Sequence, residues 1–456
     1  MNTFKPLKIF IIGGVAAGMS AAARARKNDQ RAEITVIQKE EDISYGACGL
    51  PYYIAGKVPD SQMLIARTIE EFEKQNIKIL TGHEALNFQH HKKTLYIRRL
   101  KDGQNINFKY DRLIIATGAR AKGLAIPGSH LKNVFSLRTL SDGLKIKSIL
   151  NTNIPKKVVI VGSGYVGLEM AEAFSQQGLK VILVEKNGQL LKSVDPDIAD
   201  KIALELQKND CDVYLNSSLV GIQGNDKVEQ VVLENAGIIS TDMVLLASGI
   251  EPNVEFAKSC GVQLGKSGAI AVNSKMETNL HGVYAAGDCA EVKNLVTNRF
   301  NYLPLGTTAN KQGRVAGDNA SGHFAQMKGV VGTAVLKMFN LHIARTGISS
   351  VQAEQLGIKF ETVLIDAFSR AAYSSCKKPI TIKILFKKQT GQLLGAQIVG
   401  GEGVAKRLDL FAMALHQKMT VYDISELDLS YSPPFSPVWD PVLVTANEAI
   451  KKLKKK

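Results

Sequence analysis

The 456-residue sequence has few cysteines, a single tryptophan and no apolar stretch long enough to cross a membrane. Its five cysteines, Cys48, Cys211, Cys260, Cys289 and Cys376, are widely spaced and form no C-x-x-C pair, so neither a disulfide framework nor a metal site is expected. Spanning a bilayer takes roughly 18 to 20 consecutive apolar residues. We therefore predict no membrane association and expect a cytoplasmic protein.

Acidic residues are also under-represented. Lys and Arg number 57 against 42 Asp and Glu, a formal net charge of +15, and the C-terminal lysines supply part of the excess. The remaining positive charge is spread thinly and only 6% of residues are aromatic, so the sequence lacks the basic stripe and the stacking platform of a specific nucleic-acid binder. A diffuse positive surface favours anionic small molecules, with non-specific polyanion contact through the lysine tail as the alternative.

One strand–helix–strand pattern occurs twice in an otherwise ordinary globular composition. The predicted segments are a strand at 8–12, a helix at 16–26 and a strand at 33–38, then a strand at 157–161, a helix at 162–177 and a strand at 180–185. Each copy is followed by a strand that ends in a glycine turn, at 110–118 and at 241–249. Two such units predict two nucleotide sites.

The second unit carries the sequence GSGYVG between its strand and its helix. Gly162, Gly164 and Gly167 have the G-x-G-x-x-G spacing, and Glu185 ends the next strand. The glycines allow a tight turn and let a pyrophosphate approach the helix N-terminus, while the acid accepts hydrogen bonds from ribose hydroxyls. We predict a dinucleotide site, the alternative being a glycine-rich turn without a ligand. Glu185 would repel a 2′-phosphate, which favours NADH over NADPH, although Lys186 could accept that phosphate.

The first unit is less regular. Its loop reads GGVAAG, with Val15 where the middle glycine would stand and Gln38 where the acid would stand. The later segment TNLHGVYAAGD, at 278–288, predicts a strand that ends in Gly287 and Asp288. Its carboxylate would reach a ribitol hydroxyl and its backbone amides a phosphate.

The two units, the ATG turn at 116–118 and the Gly–Asp pair together resemble the pyridine nucleotide–disulfide oxidoreductases over nearly the whole chain. The resemblance implies an α/β fold with two Rossmann-like dinucleotide-binding domains and a C-terminal α+β dimerisation domain. The implied boundaries are 1–119 and 252–328 for an FAD-binding domain, 120–251 for an NAD(P)H-binding domain, and 329–456 for the dimerisation domain.

The same resemblance assigns residues to the two cofactors, FAD and NAD(P)H. The stretch LPLGTTANKQGR at 303–314 is similar to the family's helix under the flavin ring. Cofactor binding is assigned to Gly13, Gly14, Ala16, Ala17, Gly18, Gln38, Lys39, Ala116, Thr117, Gly118, Gly162, Gly164, Tyr165, Val166, Gly167, Glu185, Gly249, Gly287, Asp288, Leu305 and Thr307.

Cys48 is the candidate redox residue, in the segment SYGACGLPYY after the second strand. Gly49 and Pro51 are typical of an entry into a helix, and a helix N-terminus favours the thiolate that attacks a disulfide or peroxide. The alternative is a buried, inert cysteine. Glutathione and lipoamide reductases carry a second cysteine five positions on, where this chain has Tyr53. The segment therefore resembles the single-cysteine branch: coenzyme A-disulfide reductases, polysulfide or persulfide reductases, and NADH oxidases and peroxidases.

Two features separate the members of that branch. Peroxidases and oxidases carry a histidine in the first glycine turn, where this chain has Ala16. Coenzyme A-disulfide reductases bring two tyrosines from the partner subunit to the thiol, and Tyr373 and Tyr431 match them. A tyrosine hydroxyl can protonate a departing thiolate. The alternative is that both tyrosines only pack against neighbouring chain.

The resemblance also implies a groove for coenzyme A. The residues assigned to it are Ser20, Arg24, Lys27, Ser44 and Trp439. Arg24 and Lys27 lie three positions apart on one helix face and would meet a phosphate, unless that face is simply solvated. Cys376, close to Tyr373 in the sequence, is a weaker candidate for a second thiol.

The sequence thus predicts an FAD-dependent NAD(P)H:disulfide oxidoreductase that resembles coenzyme A-disulfide reductase. Hydride passes from NAD(P)H, with NADH favoured, to FAD and then to a mixed disulfide on Cys48. The alternatives are reduction of polysulfide or persulfide with coenzyme A as a bound cofactor, oxidation of NADH by oxygen, and a non-catalytic NADH-sensing flavoprotein. The expected partners are a second copy of the chain and a small-molecule disulfide or persulfide.

Overall fold

Two parallel sheets and one antiparallel sheet, each of five strands, organise the part of the chain that the structure describes. The structure is a computed structural model that describes residues 5–152 and 155–455. Among these residues no helix combines the length and the apolar character needed to cross a bilayer.

The first part of the chain holds a parallel sheet, a three-stranded antiparallel sheet and the segment around Cys48. Its strands are β1 (Lys8–Ile12), β2 (Glu33–Ile37), β3 (Ile77–Leu80), β4 (His83–Gln89), β5 (Thr94–Arg99), β6 (Asn105–Lys109), β7 (Arg112–Ile115) and β8 (Ala119–Ala121). Its helices are α1 (Ala16–Asn28), α2 (Leu50–Ile54) and α3 (Ile69–Glu73), with single 3₁₀ turns at Ala47–Gly49 and Ser61–Leu64.

The second part repeats the strand–helix–strand order. Its strands are β9 (Val134–Phe135), β10 (Lys157–Val161), β11 (Lys180–Val184), β12 (Asp212–Tyr214), β13 (Leu219–Gln223), β14 (Gln230–Leu233), β15 (Gly237–Ser240), β16 (Met243–Leu246) and β17 (Ile250–Pro252). Its helices are α4 (Leu140–Thr152), α5 (Tyr165–Gln176) and α6 (Pro196–Lys208).

The third part returns to the first sheet and the fourth part forms an α+β unit. The third contains α7 (Glu255–Ser259), β18 (Val283–Ala285), β19 (Val292–Lys293), β20 (Phe300–Asn301) and α8 (Gly306–Ala320). The fourth contains β21 (Ala334–Met338), β22 (Leu341–Gly347), α9 (Ser350–Gln355), β23 (Phe360–Phe368), β24 (Pro379–Lys387), β25 (Leu393–Gly400), α10 (Val404–His416), α11 (Val421–Ser425) and α12 (Pro441–Lys454).

The predicted internal repeat is present in the sheets. The first sheet has the order β18-β7-β1-β2-β3 and the second β12-β11-β10-β16-β9, so each central strand lies between the next strand and the exit strand of its unit. The centre of β1 and of β10 is buried on both faces, which explains the unbroken apolar runs in the sequence.

Two boundaries differ from the sequence prediction for clear reasons. The helix predicted from 162 begins at Tyr165, because Gly162 has φ +108° and the glycine loop precedes the first helical turn. The strand predicted over 278–288 is confined to Val283–Ala285, since the chain turns at Gly282 with φ +75°. The domain boundaries at 119, 251 and 328 stay predictions.

Candidate active site

The first glycine loop is a tight turn at the end of β1. A side chain on Gly13, whose φ is +106°, would place a Cβ 2.1 Å from the Ala116 carbonyl oxygen, and one on Gly18 would lie 1.8 Å from the Gly13 oxygen. The buried Gln38 side chain accepts a hydrogen bond of 2.7 Å from the Gly14 amide. Gln38, which stands where the sequence pattern has an acid, therefore fixes the loop itself.

The second loop is held in the same way. The Ser163 amide and hydroxyl donate to one oxygen of Glu185 at 3.0 and 2.7 Å, and the Asn187 amide and side chain donate to the other at 3.0 and 2.5 Å. Burial acts to raise the pKa of Glu185, but these hydrogen bonds outweigh it and lower the pKa, so the buried carboxylate stays ionised. A ribose hydroxyl could donate a hydrogen bond to Glu185 only by replacing one of these donors.

Open space lies in front of the second loop. A Cβ built on Gly164 meets no atom within 4 Å, whereas one on Gly167 would lie 2.0 Å from the Gly162 oxygen. Gly167 is thus required for the packing of α5 on the loop, while Gly164 leaves the loop surface free for a close-approaching ligand.

The Gly–Asp pair sits at the end of β18, against helix α8. The fully buried Gln312 accepts a hydrogen bond from the Gly287 amide at 2.9 Å and donates to the Glu291 carbonyl at 2.8 Å. Helix α8 in turn crosses α1 closely, because Gly313 has no side chain to keep it from the Ala17 carbonyl. One glutamine and one glycine therefore position the carboxylate that follows.

Arg138 contacts the Gly–Asp pair, and sequence reasoning missed this residue. Its guanidinium donates to Asp288 at 2.6 Å and to the Ala119 carbonyl at 3.1 Å. The Asp288 side chain is only 15% exposed. The ion pair with Arg138 offsets the cost of burying its charge. The only signal in the sequence is an arginine just before an apolar helical pattern, and it carries no information about a partner 150 residues away.

Cys48 lies in the 3₁₀ turn that precedes the short helix α2. The residue is exposed, although the protein surrounds part of its thiol. Helix α2 is docked on the second part of the chain: Lys147 of α4 donates to the Ile54 carbonyl at 3.0 Å, and Gln177 donates to the Ala55 carbonyl at 2.8 Å. Leu50 and Ile54 belong to the core of that part. The thiol is therefore placed between the two nucleotide-binding units.

The surroundings of Cys48 act against the thiolate. Partial burial raises the pKa of the Cys48 thiol, and the carboxylates of Glu169 and Asp288 raise it further, while Arg138 lowers it. The raised pKa contradicts the expectation that a helix N-terminus favours the Cys48 thiolate, and α2, with five residues, is too short to provide a strong dipole.

Most of the remaining residues assigned to cofactors line the same edges. Thr117 donates to the Asn253 carbonyl at 2.7 Å, and Gly118 and Gly249 both have positive φ at the exits of their strands. Lys39 is exposed and pairs with Glu84 at 2.7 Å. The others stand at helix starts or after a strand. Ala16 and Ala17 begin α1, and Tyr165 and Val166 begin α5. Leu305 caps α8, Thr307 is exposed in the first turn of α8, and Ala116 directly follows β7.

The residues assigned to coenzyme A are partly engaged with α8. The Ser20 hydroxyl donates to Asn310 at 2.6 Å, and Nε of Arg24 donates to Asp318 at 2.5 Å. Lys27 is exposed, and Ser44 adopts a left-handed conformation with φ +49°. Trp439 lies in the fourth part of the chain and is 62% exposed. Their role in binding a substrate stays a prediction.

Tyr373 and Tyr431 meet each other on the surface of the fourth part. Both are exposed, and contact with Tyr431 raises the pKa of Tyr373. Cys376 is exposed in the same loop, with its sulfur 3.9 Å from the Ser375 hydroxyl. Within the described part of this single chain, no hydrogen bond joins either tyrosine to Cys48.

Family comparison agrees with this architecture. The model of the pyridine nucleotide-disulphide oxidoreductases matches residues 7–313, and the model of the dimerisation domain of the same family matches residues 333–441. The chain belongs to the pyridine nucleotide-disulphide oxidoreductase family. It is an oxidoreductase, and the enzymes of this family depend on FAD and NAD(P)H.

Three similar proteins carry three different activity names. An NADH oxidase of Methanocaldococcus jannaschii is 38% identical over 453 residues, which cover 99% of this chain and 100% of that protein. A coenzyme A disulfide reductase of Staphylococcus aureus is 30% identical, covering 94% and 96%. The structure of an NAD-dependent persulfide reductase from A. fulgidus superimposes with a TM-score of 0.95 at 35% identity, covering 98% and 84%.

The residues present fit the FAD of this family. The Tyr302 hydroxyl is buried without a hydrogen-bond partner among the described residues, and burial with the nearby Asp288 raises its pKa. A buried hydroxyl with no partner is costly unless a ligand completes it. Arg138 lies near this hydroxyl, and the first glycine loop at the end of β1 supplies the helix N-terminus that suits a phosphate-bearing cofactor. When bound there, FAD would supply two-electron chemistry next to Cys48.

Proposed function

We propose that this protein is an NADH-dependent disulfide reductase acting on a small-molecule disulfide, with coenzyme A disulfide as the first substrate to test. The reaction NADH + H⁺ + RS–SR gives NAD⁺ and two RSH. The Cys48 thiolate attacks one sulfur of the disulfide and releases RS⁻, leaving RS–S–Cys48. Two electrons then cleave that bond and regenerate the Cys48 thiolate and a second RS⁻.

The observation that carries the proposal is the position of one exposed thiol at the junction of the two nucleotide-binding units. Cys48 is free and exposed, and Arg138 and Asp288 lie near enough to influence its ionisation. Tyr53 occupies the position at which a second cysteine would allow an internal disulfide. The electrons must therefore pass through a single sulfur to an external acceptor.

NADH is the proposed donor because of the second glycine loop. Glu185 is buried and ionised at the end of β11, and a carboxylate there disfavours the 2′-phosphate of NADPH. Lys186 is exposed beside it and could offset that preference in part. We expect a preference for NADH rather than strict exclusion of NADPH.

A homodimer is proposed from the fourth part of the chain. Tyr431, Phe435, Val438 and Trp439 are all exposed within nine residues of sequence, an apolar patch of the kind that a partner covers. The match to a dimerisation domain supports a second copy as that partner. In this arrangement Tyr431 of one copy protonates the leaving thiolate at Cys48 of the other, and Tyr373 assists.

The proposed coenzyme A groove lies along α1. Only Nε of Arg24 is engaged by Asp318, so the remaining guanidinium nitrogens can meet a phosphate, and the exposed Lys27 follows one turn later. Ser20, Ser44 and Trp439 complete the proposed groove. The thiol products persist only in a reducing compartment, which supports a cytoplasmic role.

The experiment that tests the proposal separates the two half-reactions. Cys48→Ser should keep rapid flavin reduction by NADH in stopped-flow absorbance but lose at least about 100-fold of the steady-state disulfide reductase rate, because the nucleophile is gone. Tyr431→Phe should slow turnover and leave flavin reduction unchanged. Full disulfide reduction by Cys48→Ser would reject the proposal.

A persulfide or polysulfide is the second candidate acceptor. The same exposed thiol could hold a sulfane sulfur, and the persulfide reductase of A. fulgidus is 35% identical to this chain. Steady-state assays with coenzyme A disulfide, coenzyme A persulfide, oxidised glutathione and oxygen compare the candidates directly. Oxygen as the best acceptor would favour an oxidase like that named in M. jannaschii, and no turnover with any of them would favour an NADH-sensing flavoprotein.

A further inference from the structure

Two separate loops carry Tyr373 and Tyr431, and neither loop contains a helix or a strand. Tyr373 lies in the loop 369–378 between β23 and β24, and Tyr431 lies in the segment 426–440 between α11 and α12. The two side chains are 76% and 47% exposed and contact each other. Loops with few buried contacts open locally unless hydrogen bonds to the core hold them. The contact between the tyrosines therefore depends on what fixes the two loops.

The buried Arg407 of α10 joins both loops. Its Nε donates to the two carboxylate oxygens of Asp440 at 3.1 and 3.0 Å, and its Nη2 lies 2.8 Å from Asp440 Oδ2. The same Nη2 donates to the Ser369 carbonyl at 2.9 Å. Asp440 ends the segment that carries Tyr431, and Ser369 begins the loop that carries Tyr373. One guanidinium thus connects the two tyrosine loops.

The two partners of this guanidinium are themselves fixed. Ser369 is buried, its amide donates to the Lys378 carbonyl at 2.8 Å, and its hydroxyl accepts from the Lys378 amide at 3.0 Å. These two bonds close the loop 369–378 at its base. Asp440 is also buried, and its carboxylate accepts from the Val442 amide at 2.9 Å, which caps α12. Both loops are therefore held by their ends on one side of α10.

Stability of the fold does not by itself explain this ion pair. The cost of burying two charges often exceeds their attraction, and apolar replacement of a buried ion pair is often neutral or stabilising. Helix α10 already contributes four apolar side chains to the core of the fourth part: Val404, Leu408, Phe411 and Leu415. A planar guanidinium with five donors binds a carboxylate and a carbonyl at the same time. That property suits a group that sets the relative position of two segments.

We propose that Arg407 is a positioning residue for the tyrosine pair. Its bonds to Asp440 and Ser369 hold the two loops in the arrangement in which a tyrosine hydroxyl reaches the leaving thiolate. This inference rests on the proposed function for the use of that proton, and it adds no step to the reaction. The arrangement of the loops rests on the hydrogen bonds alone. Without the guanidinium, the two tyrosines separate more easily.

The direct test is photochemical cross-linking of the two phenol rings in the FAD-loaded, full-length protein. Oxidation joins neighbouring tyrosines as dityrosine, and peptide mass spectrometry identifies the link between Tyr373 and Tyr431. We expect this link in the wild type and an at least about fivefold lower yield in Arg407→Met, because the charge-assisted hydrogen bonds are lost. Arg407→Lys, which keeps the charge but not the planar fork, should give an intermediate yield.

The matched control is Arg26→Met. Arg26 is also buried, but it lies in the first part of the chain and donates to backbone carbonyls there, those of Asp29, Gln30, Ala32 and Asn76. Its cross-link yield should equal that of the wild type. A wild-type yield in Arg407→Met as well would overturn the inference. Should Arg407→Met fail to fold, Asp440→Asn decides by the same criterion, because asparagine still caps α12 while the ion pair is lost.

Steady-state kinetics tests the connection to catalysis. Arg407→Met should lower kcat for coenzyme A disulfide about tenfold, because a general acid acts only within hydrogen-bond reach. The KM for NADH and flavin reduction by NADH in stopped-flow absorbance should not change. In a Tyr373→Phe/Tyr431→Phe background the same substitution should change kcat by less than about twofold, since all three changes act through the same hydroxyls.

The two readouts separate the possible failures. A full tenfold effect of Arg407→Met in the background without tyrosine hydroxyls would reveal a general defect and contradict the inference. A lost cross-link with an unchanged kcat would support the positioning of the loops and reject the tyrosines as proton donors in the proposed function. Failure of disulfide reduction altogether leaves the cross-linking result standing, because that measurement needs no acceptor.

Discussion

Arg138 is the residue on which the electrostatics of the site converge. It is paired with Asp288 at 2.6 Å and is the one cation among the causes that set the pKa of Cys48. Arg138→Met would leave Asp288 partly buried without a partner. We expect FAD affinity to fall at least about tenfold, or 1.4 kcal/mol, and the pH profile of Cys48 alkylation by iodoacetamide to move to higher pH, because the cation beside the thiolate is lost.

Fluorescence titration of the FAD-free protein with FAD measures the first effect, and alkylation the second. Arg99→Met is the control, because the exposed guanidinium of Arg99 pairs only with nearby residues of its own hairpin, Asp102 and Gln104. An unchanged FAD affinity together with an unchanged alkylation profile would show that Arg138 does not act on the site.

Residues with a local constraint could be predicted from the sequence, and residues with a distant partner could not. Gly18 and Gly167 are fixed by close approach to Gly13 and Gly162, five residues earlier in the same loops, and Cys48 stands in a recognisable segment. The ion pair of Arg138 joins positions 150 apart, and an arginine before a helix is too common to predict it.

The second glycine loop makes a prediction at the scale of the element. Gly164→Ala meets no protein atom and keeps an extended backbone, so the free energy of unfolding should change by less than about 0.5 kcal/mol. Its methyl group fills the space in front of the loop, and the KM for NADH should rise about tenfold with FAD content unchanged.

Gly167→Ala is the matched variant of the same loop. Its Cβ would lie 2.0 Å from the Gly162 oxygen, so we expect a loss of about 2 kcal/mol or more in denaturant unfolding. If Gly164→Ala were the destabilised variant and Gly167→Ala bound NADH normally, the assignment of these two glycines would be wrong.

Strands could be predicted from the sequence wherever consecutive residues are buried. The strands at 8–12 and 157–161 agree with the prediction because both faces of a central parallel strand are apolar. The predicted strand at 278–288 was too long, since its polar start at 278–282 forms bends and a turn rather than a ladder. The local pattern of apolar and polar residues does not distinguish a full-length strand from a turn followed by a short strand.

Glu172 makes a prediction for the whole molecule, because it joins three parts of the chain. It accepts from Lys57 of the first part and from Lys337 and the Phe339 amide of the fourth, while residing on α5 of the second. Glu172→Gln should lower the free energy of unfolding at pH 7 by about 1–3 kcal/mol in urea.

The pH dependence of that effect has a definite sign. Burial alone would raise the pKa of Glu172, but its hydrogen bonds and Lys337 lower it. Its contribution is therefore present above the unfolded value of 4.5 and is lost as the pH falls below it. The difference between Glu172→Gln and wild type should shrink from pH 6 to pH 4, and a constant or growing difference would contradict the role of the charge.

The packing of the parts of the chain against one another could not be predicted from the sequence. The two nucleotide units and the C-terminal unit were evident from motifs and patterns, whereas the docking of α2 on α4 and α5 through Lys147 and Gln177 was not. That docking holds the segment of the thiol at the junction of the two nucleotide-binding units. It depends on side chains whose partners are more than 90 residues away.

The central claim is that one sulfur carries the electrons from the flavin to an external disulfide. The direct measurement is rapid quenching of the FAD-loaded protein with excess coenzyme A disulfide, followed by peptide mass spectrometry, before and after addition of NADH. We predict one coenzyme A moiety in disulfide linkage on Cys48 alone, and its disappearance at the rate of turnover when NADH is added. Turnover without any adduct on Cys48, or an adduct that NADH does not release, would contradict the account.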